Sequence, residues 1–290
     1  MYFSRAMDWE KIDLKHKQLL YDKLKAITVP LSEFSFANLY LFRHIHKYEV
    51  AENEGDVFVR GATYDGSTFY LPTKDIREYD RETLLEMQKD VDFFFPIPQE
   101  WSVSFDMDEA EQTNDEGDSD YIYTVEKMCT YKGRKLHKKR NLLKQFRQNY
   151  EHMAFPMVGD HVQTAKQILE DWQEGSGQAK EDTDYHACCE ALKLNKELNL
   201  CGLVYYADEE PAGFVLGEEL NRHTFVIHFA KGLVDFKGVY QFLFNNFAKI
   251  LPERYTYLNF EQDLGKTALR MAKSSYIPDQ MLKKYRLRLK

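Results

Sequence analysis

Thr224-Phe-Val-Ile-His-Phe-Ala-Lys231, Gly238-Val-Tyr240 and Tyr255-Thr-Tyr-Leu-Asn-Phe-Glu-Gln-Asp263 spell a strand, the opening of a helix and a second strand. The first run carries Phe225, Val226, Ile227, Phe229 and Ala230 and looks like a strand buried on both faces. From Gly238 a helix is predicted to Ile250, with Phe242, Phe244 and Phe247 inside it. The second run alternates. Tyr255, Tyr257, Asn259, Glu261 and Asp263 share one face, and Thr256, Leu258, Phe260, Gln262 and Leu264 the other. Upstream, helices over 160–172 and 184–198 precede short strands at 202–206 and 213–216, and a helix over 267–274 closes the block. Helix, helix, hairpin, long strand, helix, strand, helix is an order for one mixed sheet flanked by helices.

The first half reads as a blurred version of this programme. Helical spacing runs over 8–27, and Ser32 is placed to cap a helix or turn reaching Arg43. Strands are predicted at 48–51, 56–60 and 67–71, a helix at 81–90, and Phe93-Phe-Phe-Pro-Ile97 as a buried stretch. From Asp106 to Asp120 there are eight acidic residues and no basic one, which reads as a mobile loop. Its spacing lacks an EF-hand pattern for calcium. The expected class is α+β, an α/β mixed sheet in each of two tandem domains, 1–125 and 153–290, joined by a basic connecting helix at 126–152.

That connecting segment holds nine Lys or Arg residues between Lys127 and Arg147, in a chain whose net charge is −8. Leu136, Leu143, Phe146 and Tyr150 fall on one side of a helix. Like charges three or four residues apart repel, and cations sit poorly at a helix N-terminus. Two readings stay open: the helix grips an anion, or it is a solvated or internally paired face. The acidic balance excludes whole-surface binding to nucleic acid or membrane, so such a contact would be local. Four cysteines in 290 residues make no disulfide framework, and the adjacent Cys188-Cys189 pair lacks zinc spacing. Met1 to Leu20 lacks a signal-peptide hydrophobic region, and no apolar run approaches a membrane span, so the chain reads as soluble and cytoplasmic.

Candidate chemistry gathers at the end of the alternating strand. Asn259, Glu261 and Asp263, followed by Gly265, suit the crevice where α/β sheets bind ligands. Glu261 could serve as a general base toward an amine; the alternative is an exposed sheet face or groups paired to backbone. His228 in the preceding strand is either catalytic or a satisfied structural residue. Lys231, Lys237 and Gly238 lead into a helix whose N-terminus can offer N–H groups to phosphate. Lys266, Arg270 and Lys273 form a second basic set with Lys283-Lys284-Tyr-Arg286-Leu-Arg288-Leu-Lys290, whose alternation suggests a strand with a charged edge. There is no GxxxxGK[ST], G-x-G-x-x-G, H-E-x-x-H or G-x-S-x-G, which counts against P-loop NTPases, Rossmann dehydrogenases, zincins and α/β-hydrolases.

Several of these stretches carry a resemblance. Ser32-Glu-Phe-Ser-Phe-Ala-Asn38, Asp120-Tyr-Ile-Tyr123, Lys132-Gly-Arg-Lys-Leu-His-Lys-Lys-Arg-Asn141, His228-Phe-Ala-Lys231, Lys237-Gly-Val-Tyr240, Asn259-Phe-Glu-Gln-Asp-Leu-Gly265 and Leu269 to Pro278 are similar to the soluble bacterial family resembling the C-terminal domain of phosphatidylglycerol lysyltransferase. The resemblance implies two tandem folds of the acyl-CoA N-acyltransferase (GNAT) type. It implies an acyl- or aminoacyl-transferase, with acyl-CoA or aminoacyl-tRNA as donor and a small-molecule or peptide amine or hydroxyl as acceptor. Transfer would be direct, without a covalent enzyme nucleophile or a metal. Lys135, Lys138, Lys139, Arg140 and Asn141 would bind the donor, with Lys231, Lys237, Gly238, Tyr240, Arg270 and Lys273. Asn259 and Gly265 would bind substrate or cofactor, and Glu261, His228 and Asp263 would be catalytic. The chain departs from the family in two ways: it lacks the transmembrane segments of lipid-modifying relatives, and Asp235-Phe-Lys-Gly238-Val-Tyr240 differs at both ends from the acetyltransferase pyrophosphate loop. An acyl-CoA-dependent N-acetyltransferase of a small amine and a non-catalytic ligand-binding member of the fold are the alternative readings.

Overall fold

The computed structural model describes residues 7–53 and 55–290; the first six residues of the Met1–Leu20 stretch lie outside them. The chain opens with β1 (Glu10–Lys11), α1 (Lys17–Ala26), α2 (Phe36–Leu41), α3 (Arg43–His46), β2 (Glu49–Asn53), β3 (Asp56–Ala62) and β4 (Thr68–Leu71). It continues through α4 (Arg81–Gln88), β5 (Phe93–Pro98), α5 (Gln99–Ser102), β6 (Ala110–Asn114), β7 (Asp120–Thr124), α6 (Val125–Thr130), α7 (His137–Asn149) and β8 (His152–Pro156). Then come α8 (Asp160–Ser176), α9 (Tyr185–Lys193), β9 (Cys201–Ala207), β10 (Glu210–Asn221), β11 (Thr224–Gly232), α10 (Val239–Ile250), β12 (Tyr257–Asn259), α11 (Thr267–Ser274), β13 (Gln280–Leu282) and β14 (Lys284–Leu289).

Two compact units result. One holds the chain up to Asp120 with Gln262–Thr267 and Met281–Lys290; the other holds Tyr121–Glu261 and Ala268–Gln280. This groups the chain differently from the expected division at 1–125, 126–152 and 153–290. The reason is strand exchange: β14, from the far end of the chain, fills the place between β5 and β6, while β7 pairs with β12. Helix α7 belongs wholly to the second unit rather than joining two domains.

In the first unit the sheet order is β1-β2-β3-β4-β5-β14-β6, with β4 and β5 parallel. Phe94 and Ile97 are almost fully buried, as the aromatic run predicted, and so are Phe69 and Tyr70 of β4. The helical spacing of 8–27 resolves into β1, a single 3-10 turn capped by Asp13, and α1. Ser35, not Ser32, caps α2, accepting from the Asn38 N–H at 3.2 Å. The acidic stretch is not a loop throughout. Ala110–Asn114 forms β6, and its partner is the basic final strand, with Glu111 opposite Arg288. Opposite charges facing across a ladder stabilise it. Arg286 adds an ion pair to Asp65 at 3.0 Å. Strand β14 is therefore interior, not a charged edge, and Lys284 on it is fully buried.

In the second unit the order is β13-β7-β12-β11-β10-β9-β8, with β11 and β12 parallel. Helix α10 packs on β10 and β11, and α7 lies against α10. Phe146 of α7 stacks on Phe242 of α10 with ring centroids 4.5 Å apart. Leu136, Leu143 and Phe146 are buried, as their spacing required, and Tyr150 is half-buried. Gly238 caps α10 at φ 89°, and a Cβ there would stand 2.4 Å from the Leu142 carbonyl oxygen, so only glycine admits this approach. The predicted strand 255–263 is cut to three residues, because the backbone turns into the left-handed region at Glu261 (φ 58°) and Leu264 (φ 55°). The helix expected over 184–198 ends at Lys193.

Candidate active site

The site is built on an irregularity between two strands. Along β10 and β11, Leu216 pairs with Phe229 and Gly217 with Ile227, leaving His228 as the extra residue of a β-bulge. A bulge re-aims the side chain it carries. Gly217 permits it, since a Cβ there would lie 2.0 Å from the Val226 carbonyl oxygen. The His228 ring is thereby held between two carboxylates. Its Nδ1 lies 2.8 Å from Glu261 Oε1 and its Nε2 3.1 Å from Glu218 Oε1.

Glu261 reaches this ring because β12 ends abruptly. The Asn259 side-chain oxygen accepts the Glu261 N–H at 2.6 Å, and the Tyr121 N–H donates to the Glu261 carbonyl at 3.2 Å. From α11 the Lys273 ammonium donates to the Phe260 carbonyl at 2.6 Å and the Glu261 carbonyl at 3.3 Å. These bonds hold a non-glycine residue at positive φ, a conformation that costs about 1 kcal/mol or more and persists where surroundings enforce it.

Electrostatics then decide the imidazole's state. Burial pulls its pKa down, but the Glu261 and Glu218 carboxylates more than offset that, and it is pushed up to about 10. At neutral pH His228 is an imidazolium donating from both nitrogens, so it cannot itself accept a proton. Charge opens outward in one direction only: the side chains of His228 and Glu218 are 0% and 4% exposed, that of Glu261 14%.

Of the predicted residues, His228, Glu261, Asn259 and Lys273 are brought together. Asp263 falls in the first unit, where it is buried and its carboxylate accepts the Gly265 N–H at 2.8 Å. Several predicted donor-binding cations are engaged within the second unit. Lys231 is buried, 2.6 Å from Asp184 and over the Trp172 ring at 3.6 Å. Lys139 lies over the Tyr276 ring at 3.9 Å, with burial lowering its pKa. Arg140 donates to the carbonyls of Tyr131 and, at 2.6 Å, Gly133. The Tyr240 hydroxyl accepts from the Trp172 indole at 3.2 Å. Asn141 sits 3.5 Å from the His137 ring. Lys135, Lys138 and Lys237 are exposed, as are Lys132 and Arg134; Arg270 is half-buried on α11. The four cysteines are free thiols. Among the described residues, no helix is long and apolar enough to cross a membrane.

A second polar centre, in the first unit, escaped sequence reading. The Lys284 ammonium donates to Glu33 and Asp120, each at 2.7 Å, and to the Gln262 side-chain oxygen at 3.0 Å. Asp120 also accepts the Ser32 N–H at 2.8 Å. Burial raises the Glu33 carboxyl against the pull of Lys284, to about 7. Glu218 was likewise missed; a glycine inside a long strand followed by two acidic residues was its one sequence signal.

A two-unit mixed α/β protein, with one mixed sheet in each unit and a carboxylate presented just after the end of a strand in a parallel pair, is the class the fold and site define. Residues 26–288 match the family model described as phosphatidylglycerol lysyltransferase, C-terminal, and the chain belongs to that family. A conserved protein of unknown function from Bacteroides thetaiotaomicron is similar over 98% of this chain and 100% of its own, at 25% identity and TM-score 0.84. The C-terminal domain of a protein described as a lysylphosphatidylglycerol synthetase from Agrobacterium fabrum shares the fold, at 14% identity, TM-score 0.60 and coverage of 92% and 91%. An uncharacterized protein of Mycoplasmoides gallisepticum is 28% identical over 59% of this chain, and the match spans 56% of that protein.

Proposed function

We propose that this chain is a transferase that moves an aminoacyl group from a charged tRNA directly to an amine or hydroxyl acceptor. The observation that carries the reading is Glu261, a partly exposed carboxylate fixed by an imidazolium on a strained turn. In the proposed step the acceptor nitrogen or oxygen attacks the ester carbonyl of the donor and forms the new amide or ester bond. Glu261 takes the proton the nucleophile loses, the ester C–O bond breaks, and the proton passes to the departing ribose oxygen. His228 holds Glu261 in place and does not exchange the proton. Lys132, Arg134, Lys135 and Lys138 form an exposed cationic surface suited to the phosphates of the donor. Membership of a lysyltransferase family supports the reading.

The test offers the purified chain bulk tRNA charged with radiolabelled amino acids, together with phosphatidylglycerol vesicles or a panel of amines and dipeptides. Product should form, and Glu261→Gln should slow it about 100-fold while tRNA binding persists. Alanine at Lys135 and Lys138 should reduce the salt slope of tRNA binding by about one to two. An unchanged slope sinks the tRNA assignment, and stabilisation by CoA but not by charged tRNA favours an acyl-CoA donor.

A further inference from the structure

Glu218 has no role in the step just described, and its placement is costly. A carboxylate 3% exposed must be paired, and apolar residues of similar volume would commonly serve stability as well or better than a buried ion pair. Here two carboxylates, Glu218 from β10 and Glu261 after β12, face one imidazole from opposite ring nitrogens. The group nearest solvent is Glu261, and the two behind it are sealed. The bulge at His228, the glycine that permits it and the positive φ of Glu261 all serve this one alignment.

We propose that Glu218 is a positioning residue: through His228 it fixes the direction in which Glu261 presents its carboxylate to the acceptor. This rests on the reading of Glu261 as proton acceptor given above. Without Glu218 the imidazole loses its anchor at Nε2, so the ring can rotate and Glu261 loses a fixed partner. Proton transfer demands placement within hydrogen-bond reach of the nucleophile, so turnover suffers while donor binding does not.

The experiment follows His228 by nitrogen-15 NMR of histidine-labelled full chain, alongside the charged-tRNA transfer assay. In the wild type the ring should stay protonated to above about pH 9, given its upward shift. Glu218→Gln should move that midpoint down by about one pH unit or more. It should lower kcat about 10-fold or more and leave KM within about twofold. Glu218→Asp should recover part of both effects. On a Glu261→Gln background, Glu218→Gln should cost little further, because the two act in series. The proposal is overturned if Glu218→Gln leaves kcat intact, or if its effect multiplies with that of Glu261→Gln, the mark of a merely structural role. A wild-type chain that transfers nothing overturns the underlying reading, and the proposal with it; transfer by the wild type and the Glu218→Gln variant alike overturns the proposal alone.

Discussion

His228 Nδ1 stands 2.8 Å from Glu261 Oε1, joining a bulge residue of one strand to the turn that ends its parallel neighbour. The pair makes stability depend on alkaline pH. In the unfolded chain an imidazole titrates near about 6.5, and in the fold it is pushed up to about 10. A raised folded pKa contributes stability that is complete below the unfolded value and is lost as pH rises through the folded one. Urea unfolding between pH 7 and 10 should therefore show the wild type losing stability faster than His228→Gln. Parallel pH dependences would refute this.

Gly217→Ala should disturb the bulge directly. Its Cβ would meet the Val226 carbonyl oxygen at 2.0 Å, so the ladder must shift. A loss of about 1–3 kcal/mol is expected for such overpacking. Thermal melting gives the stability, and a changed His228 imidazole resonance would show that the ring has moved.

Lys284→Met should cost about 3–5 kcal/mol, because it leaves Glu33 and Asp120 buried without their cation. Chemical denaturation measures it. Replacing Glu33 and Asp120 by leucine in the same chain should restore part of the loss, and a triple variant less stable than Lys284→Met would contradict the account.

Glu33 gives a pH dependence of the same sense at more acidic pH. Its folded pKa is raised to about 7, so its contribution is complete below the unfolded value and fades as pH rises through about 7. Glu33→Gln should flatten stability between about pH 5 and 8 relative to the wild type, read from urea midpoints at fixed temperature.

The second unit was the more legible from sequence. Its strands and helices have clean periods, and the stripe Leu136, Leu143 and Phe146 packs as its spacing demands. The failures have local causes. Alternation carried the predicted strand on to Asp263, whereas the Asn259 side chain captures the Glu261 N–H and ends it. Lys284, Arg286 and Arg288 share a parity that suggests one charged face, but Lys284 is fully buried against Glu33 and Asp120 while Arg288 is exposed. The acidic stretch lacked the apolar content of a strand, and its strand β6 is supported by a partner more than 170 residues away in the sequence. His228 was identified as a candidate, yet the two carboxylates that keep it protonated come from 10 and 33 residues away.

The position of β14 has a consequence for biosynthesis. Among the described residues β5 and β6 pair through β14 and not with each other, and β14 is translated more than 170 residues after β6. The unit that begins first is thus completed last, and until then two strand edges wait open while the second unit is already able to condense. Such long-range pairing closes slowly. A nascent chain stalled before Lys284 should keep the first unit sensitive to protease while the second resists it.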